Sequence, residues 1–187
     1  MIKAIVWDIG GVLVEDPKFK EFWKNKSGSK ELRDNFGSGN LPLTDFIKEC
    51  SKLLGMSSEE FINKYNGAYL SLKLISGSFN IFKKFKGINY LFADTNPVHI
   101  KYIKEKFPEL FANCNKAFLS TDIGYRKSNP ETLKFILSKI NAKPEEILLI
   151  DNNIDIIQKA KKLKIKTIHY NPSINLMNEI DDKITFS

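Results

Sequence analysis

A chain of 187 residues with 42% hydrophobic residues is long enough for one domain, or for a core domain with a small inserted unit, and it is too apolar to be disordered. No run approaches the length of a membrane-spanning helix and no charged leader precedes the first apolar segment, so we expect a cytoplasmic protein with no membrane partner. The net charge of +7 comes almost entirely from dispersed lysines, with arginine only at Arg33 and Arg126, which argues against a nucleic-acid partner.

The chain opens with an apolar run, residues 4–7, that predicts one buried strand ending at Asp8. Gly10 and Gly11 follow, and they allow a tight turn with exposed backbone N–H groups. A carboxylate at the tip of such a strand could attack an electrophile, hold a cation, or cap the turn. This stretch alone leaves all three roles open.

Residues 16–75 show helical spacing and no convincing strand. Apolar residues in their first part recur at i, i+3 and i+4, as at Phe19, Phe22 and Trp23. Ser57 followed by Glu60 is typical of a capping box at the start of a helix. We therefore predict three or four short helices that form a small helical unit.

From residue 80 onwards, predicted strands alternate with predicted helices. The four further strands are expected at residues 88–93, 117–120, 147–150 and 165–170. Repeated β-α units imply right-handed crossovers and a parallel sheet covered on both faces. The predicted fold class is α/β: a three-layer Rossmann-like core of residues 1–15 and 76–187, with an all-helical cap of residues 16–75 inserted after the first strand.

Polar residues follow four of these strands, at Asp8, at Asp94-Thr95-Asn96, in the loop leading to Lys127, and at Asp151-Asn152. Because the ends of parallel strands share one edge of the sheet, these residues are expected to converge on one crevice. Clustered carboxylate oxygens suit Mg²⁺, and a lysine can neutralise phosphoryl oxygens. The pattern predicts phosphoryl transfer to Asp8, followed by hydrolysis of the aspartyl-phosphate by water.

Four sequence blocks resemble, in order, the motifs of the haloacid dehalogenase-like (HAD) superfamily of hydrolases. They are Trp-Asp-Ile-Gly-Gly-Val-Leu at 7–13, Leu-Phe-Ala-Asp-Thr-Asn at 91–96, Gly-Tyr-Arg-Lys-Ser-Asn-Pro at 124–130, and Ile-Asp-Asn-Asn-Ile-Asp at 150–155. The helical segment lies where the superfamily places its C1 cap. The chain is most similar to the small sugar-phosphate phosphatases and to the phosphatase-like domain attached to epoxide hydrolases.

The resemblance implies a role for each residue at the strand ends. Asp8 and Lys127 would be catalytic. Phosphate would be bound by Gly11, Asp94, Thr95, Asn96 and Lys127. Magnesium, the implied cofactor, would be held by Asp8, the Gly10 carbonyl, Asp151 and Asn152. The implied partner is a small anionic phosphorylated substrate, and the chain would be a monomer or a homodimer.

Three positions differ from the pattern of the superfamily: Gly10 where an acid is common, Ala93 where Ser or Thr is expected, and Asn152 where a second acid is expected. General acid help contributes about 10²–10⁴-fold, so Gly10 favours slow turnover or a good leaving group. The leading hypothesis is a Mg²⁺-dependent phosphohydrolase acting on a small phosphorylated metabolite. The alternatives are a weakened or inactive binding or regulatory protein, and a metal-independent 2-haloacid dehalogenase.

Overall fold

Five parallel strands form the central sheet of the computed structural model, which describes residues 1–181. The described residues form seven strands: β1 (Ala4–Asp8), β2 (Val14–Glu15), β3 (Lys73–Leu74), β4 (Ile88–Ala93), β5 (Lys116–Leu119), β6 (Ile147–Asp151) and β7 (Lys166–His169). The order across the central sheet is β5-β4-β1-β6-β7, and every neighbouring pair runs parallel. The predicted parallel α/β sheet is confirmed, while residues 182–187 of the predicted core lie outside the described part of the chain.

The helices before β4 are α1 (Pro17–Phe22), α2 (Lys30–Gly37), α3 (Leu43–Leu53), α4 (Ser58–Tyr69) and α5 (Ser76–Lys84). Those after β4 are α6 (Pro97–Lys106), α7 (Pro108–Ala112), α8 (Ser120–Ile123), α9 (Pro130–Leu137), α10 (Ile154–Lys162) and α11 (Leu176–Asp181). No helix among residues 1–181 is both long and apolar enough to cross a bilayer.

The side chains of β1 alternate between two apolar clusters, one on each face of the sheet. Ile5 and Trp7 belong to the larger cluster, which also takes residues from α5, α6 and α11. Ala4 and Val6 belong to the smaller cluster, which is covered by α9 and α10. A strand buried on both faces is apolar at most positions, which explains why these strands read as nearly continuous apolar runs.

Aromatic side chains hold α1–α4 together and join them to the sheet. Trp23, Phe46, Phe61 and Tyr65 lie in the larger apolar cluster, with ring centroids of neighbouring pairs between 5.3 and 6.4 Å apart. Such ring contacts contribute roughly 0.5–1.5 kcal/mol each beyond their area burial. The apolar core of the helical unit is therefore continuous with that of the sheet.

The turn after β1 leads into β2, which pairs with β3 in a two-stranded antiparallel ribbon. Gly11 has a φ of +83°, and its N–H donates to the Val14 carbonyl over 2.7 Å, so the chain turns directly from the end of β1 into β2. The sequence did not predict β3, because two residues carry no periodicity. Residues 16–75 are therefore helical apart from this strand.

Candidate active site

Three charged side chains meet in a buried cluster at the carboxyl edge of the sheet. Asp8 ends β1, Asp151 ends β6, and Lys127 lies in the loop between α8 and α9. The Nζ atom of Lys127 lies 2.6 Å from Asp8 Oδ1 and 2.7 Å from Asp151 Oδ2. The lysine side chain is only 6% exposed. The structure thus brings together three predicted residues that are far apart in the sequence.

When Asp8 and Asp151 are both ionised, the cluster holds two carboxylates against one ammonium group and has one negative charge in excess. Burial, the largest influence, raises the pKa of Asp8 to about 7; Lys127 opposes this shift and Asp151 adds to it. Burial alone would lower the pKa of Lys127, but the two carboxylates raise it. A buried site with this balance favours an added cation.

Some of the groups predicted to hold magnesium already have hydrogen-bond partners. Asp151 Oδ1 accepts from the Asn153 N–H over 2.8 Å, and Asn152 Nδ2 lies 3.2 Å from the Gly10 carbonyl oxygen. Residues 1–181 contain no group of three Asp, Glu, His or Cys side chains placed to hold a metal. Two carboxylates with a backbone carbonyl and an amide still form an all-oxygen set, which fits Mg²⁺ better than a softer metal.

The residues after β4 are largely engaged in supporting the loops. Asp94 Oδ1 accepts from the Lys127 N–H over 2.7 Å, so this carboxylate fixes the backbone of the lysine loop. Asn96 caps α6 by accepting from the Val98 and His99 N–H groups, and its Nδ2 donates to the Tyr69 hydroxyl. The phosphate-binding role of these residues stays a prediction.

Two further phosphate-binding candidates have other partners in this structure. Thr95 is buried, and its Oγ1 lies 3.3 Å from His99 Nδ1. Its N–H donates to Ser120 Oγ, whose hydroxyl in turn donates to the Gly37 carbonyl at the end of α2. The N–H of Gly11 is occupied by the turn into β2. Binding of phosphate by either group would need these contacts to rearrange.

A cavity of about 410 Å³ opens between the helical unit and the carboxyl edge of the sheet. Gly10, Asp94, Thr95, Asn96 and Asn152 line it from the sheet side. The other charged residues of its wall were not predicted as site residues from the sequence: Asp16, Lys20, Lys30, Arg33, Asp34 and Arg126. The neutral His99 also lines it. Both arginines of the chain therefore face the same cavity, which is suited to an anion.

Several polar atoms of this wall are buried without a hydrogen-bond partner among residues 1–181: Asp16 Oδ1, Arg33 Nε and His99 Nε2. Burial raises the pKa of Asp16 to about 6 and lowers the pKa of His99 to about 4. Unpaired buried polar atoms are costly and uncommon in folded proteins. Their concentration here indicates a site that a polar ligand would complete.

The chain is similar in sequence to a curated phosphatase and in structure to several solved proteins. No protein-family model matches the chain. The D-ribitol-5-phosphate phosphatase of Bacteroides thetaiotaomicron is 25% identical to this chain, and the match covers 89% of this chain and 91% of that protein.

Two solved structures share the fold. A HAD-family enzyme from Bacteroides thetaiotaomicron, in complex with magnesium and inorganic phosphate, has a TM-score of 0.78 at 21% identity and covers 96% of this chain and 99% of its own. A HAD-like family hydrolase from Porphyromonas gingivalis has a TM-score of 0.79 at 21% identity, with 97% of both chains covered. The chain therefore has the fold of the haloacid dehalogenase-like superfamily, as its four sequence blocks predict.

Proposed function

We propose that this protein is a Mg²⁺-dependent phosphohydrolase that acts on a small phosphorylated metabolite through an aspartyl-phosphate on Asp8. The observation that carries the proposal is the buried Asp8–Lys127–Asp151 cluster beside a cavity lined by both arginines. The relationship to a D-ribitol-5-phosphate phosphatase supports a sugar or sugar-alcohol phosphate as substrate.

In the proposed mechanism Asp8 is the nucleophile. Within the described part of the chain, its hydrogen bonds from the Ile9 N–H and from Lys127 Nζ both fall on Oδ1, which leaves Oδ2 to attack phosphorus. Lys127 holds the carboxylate in one orientation and offsets negative charge on the phosphoryl oxygens. Water then attacks the aspartyl-phosphate and regenerates Asp8.

Magnesium would be held by Asp8, the Gly10 carbonyl, Asp151 and Asn152. When bound, it would supply charge stabilisation to the phosphoryl group. The uncompensated negative charge of the buried cluster supports this assignment, since a divalent cation would also relieve the repulsion between the two carboxylates. Asn152 contributes an amide oxygen where a second acid would add charge, so we expect weak magnesium affinity.

The test is phosphate release from a panel of sugar and sugar-alcohol phosphates that includes ribitol 5-phosphate, with Mg²⁺ and with EDTA. We expect Mg²⁺-dependent release that falls to background in Asp8→Asn. Asp45→Asn is the matched control, because Asp45 is an exposed acid on α3, away from the cavity. Unchanged activity in Asp8→Asn would exclude the mechanism.

A binding or regulatory protein without turnover is the second candidate. It is supported by the engaged Gly11 N–H and by the Asn152 amide beside the Gly10 carbonyl, since both positions are less open to phosphate and metal than the mechanism requires. Stabilisation by phosphate with no release from any substrate would favour this function. Release of halide from 2-chloropropionate without Mg²⁺ would instead favour a dehalogenase.

A further inference from the structure

Transfer of a phosphoryl group from a sugar to Asp8 leaves an alkoxide that needs a proton. A positioned acid contributes about 10²–10⁴-fold to such a step. Gly10 has no side chain, and Lys127 is already bonded to two carboxylates that keep it charged. Neither group can therefore supply this proton, and the ionisable groups that line the cavity are the next candidates.

Most ionisable groups of that wall are unsuited to donate it. Asp34 lies 2.7 Å from Lys30 Nζ, and Asp94 lies 3.6 Å from Arg126 Nε, so both carboxylates already face cations. His99 is uncharged at neutral pH, because burial lowers its pKa to about 4. Burial likewise raises the pKa of the Tyr65 hydroxyl far above neutrality.

Asp16 differs from all of these. Its side chain is buried, with 9% of the residue exposed, and Oδ1 has no hydrogen-bond partner among residues 1–181. Although it directly precedes α1, its side chain makes no capping hydrogen bond. Burial raises its pKa to about 6 despite the nearby Lys20, so the carboxyl group is protonated part of the time near neutral pH. Neither capping nor an ion pair accounts for this acid.

Its place in the fold ties Asp16 to the nucleophile. It follows β2 immediately, and β2 is held to the turn after Asp8 by the hydrogen bond from Gly11 to Val14. Asp16, Gly10 and Asn152 line the same cavity. The backbone of Asp16 is therefore joined to the turn after the nucleophile through one short hydrogen-bonded segment.

We propose that Asp16 is the general acid and base of the reaction, and this rests on the proposed phosphohydrolase function. As Asp8 Oδ2 bonds to phosphorus, the bond from phosphorus to the leaving oxygen breaks and that oxygen takes the Asp16 proton. The resulting carboxylate then accepts a proton from the water that attacks the aspartyl-phosphate. One water is consumed, an alcohol and phosphate are released, and Asp16 returns to its acid form.

The experiment compares Asp16→Asn with the wild type in single-turnover release of the leaving group. The two substrates are the fastest sugar phosphate of the panel and p-nitrophenyl phosphate, whose leaving group departs without a proton. We expect Asp16→Asn to slow the sugar phosphate by about 10²–10⁴-fold and the nitrophenyl ester by less than about tenfold. Equal slowing of both substrates would overturn the proposal, because a merely structural role does not depend on the leaving group.

Asp45→Asn is again the control, and we expect it to leave both rates unchanged. If Asp16→Asn does not fold, wild-type rates on aryl phosphates of increasing leaving-group basicity decide the question. A rate that falls only slightly as the leaving group becomes more basic supports proton donation, and a rate that falls steeply overturns it. A wild type without any phosphatase activity removes the proposed function together with this inference, whereas an active enzyme that is indifferent to Asp16→Asn removes the inference alone.

Discussion

The burial of His99 in the cavity wall can be tested by measuring how the unfolding free energy depends on pH. Its imidazole stacks on Phe19 and Tyr69, with ring centroids 5.9 and 5.1 Å away, and its Nδ1 lies 3.3 Å from Thr95 Oγ1. Burial lowers its pKa from the ordinary value of about 6.5 to about 4. The folded protein therefore binds this proton less readily than the unfolded chain does.

The sign and size of the effect follow from linkage. The contribution of the neutral His99 to stability is complete above its unfolded pKa of about 6.5, and it is lost as the pH falls towards the folded pKa of about 4. At 1.36 kcal/mol for each pKa unit, the part lost between pH 8 and pH 5 is about 2 kcal/mol. Replacing His99 by Gln removes this contribution, so the variant should lose less stability than the wild type on acidification.

The assay is urea unfolding at pH 8 and pH 5 with EDTA present, for the wild type and for His99→Gln. The quantity compared is the change in unfolding free energy between the two pH values, which cancels the loss of stacking in the variant. His169→Gln is the control, because His169 is exposed. Identical pH dependence in the wild type and His99→Gln would refute the placement of a neutral, buried imidazole.

Three further predictions concern the site. Lys127→Met should lower the unfolding free energy by about 3–5 kcal/mol in urea titrations, because it leaves two buried carboxylates without their cation. Unchanged stability would contradict the burial of Lys127 between Asp8 and Asp151. Gly11→Ala should lower the unfolding free energy by about 1–3 kcal/mol in the same titration, because φ is +83° and the new Cβ would collide with the Asn152 side chain. Gly10→Ala should be tolerated, because no atom lies within 4 Å of the Cβ that it adds. Arg33→Met should raise KM about tenfold with little change in kcat, and a fall in kcat alone would argue against a binding role.

The strands were predictable because burial on both faces leaves a strong local signal. Residues 88–93 match β4 at both ends, and residues 147–150 fall one residue short of β6, which includes Asp151. The β2–β3 ribbon was missed because each strand has two residues. The ribbon exists through Gly11 and Val14, a contact that no periodic pattern in the sequence reports.

The sheet side of the site was predictable for a different reason, since strand tips in a parallel sheet must share one edge. That rule brings Asp8, Lys127 and Asp151 together without knowledge of any contact. No such rule predicts the cavity residues that come from the helical unit. Asp16 reaches the cavity through β2, which is hydrogen-bonded to the turn after Asp8, and Arg33 reaches it from α2. Their separate positions in the sequence carry no trace of these tertiary contacts.

The unpaired polar atoms show where this fold gives up stability. Within residues 1–181, the buried side-chain atoms without a hydrogen-bond partner are Asp16 Oδ1, Trp23 Nε1, Arg33 Nε and His99 Nε2, and three of these four residues line the cavity. Each unsatisfied group costs roughly 1–3 kcal/mol. A core selected for stability alone would pair or remove them.

The kinds of atom left unpaired also constrain what could satisfy them. A guanidinium N–H needs an acceptor, a carboxyl oxygen and a neutral imidazole nitrogen can each use a hydroxyl, and the buried cluster favours a cation bound with an anion. A phosphate ester that carries several hydroxyl groups, bound together with Mg²⁺, would meet all of these needs at once. A 2-haloacid carries one carboxylate and no hydroxyl group, so it could pair with the guanidinium but would leave the carboxyl and imidazole atoms unmet, and on this ground the phosphohydrolase is the better match to the cavity.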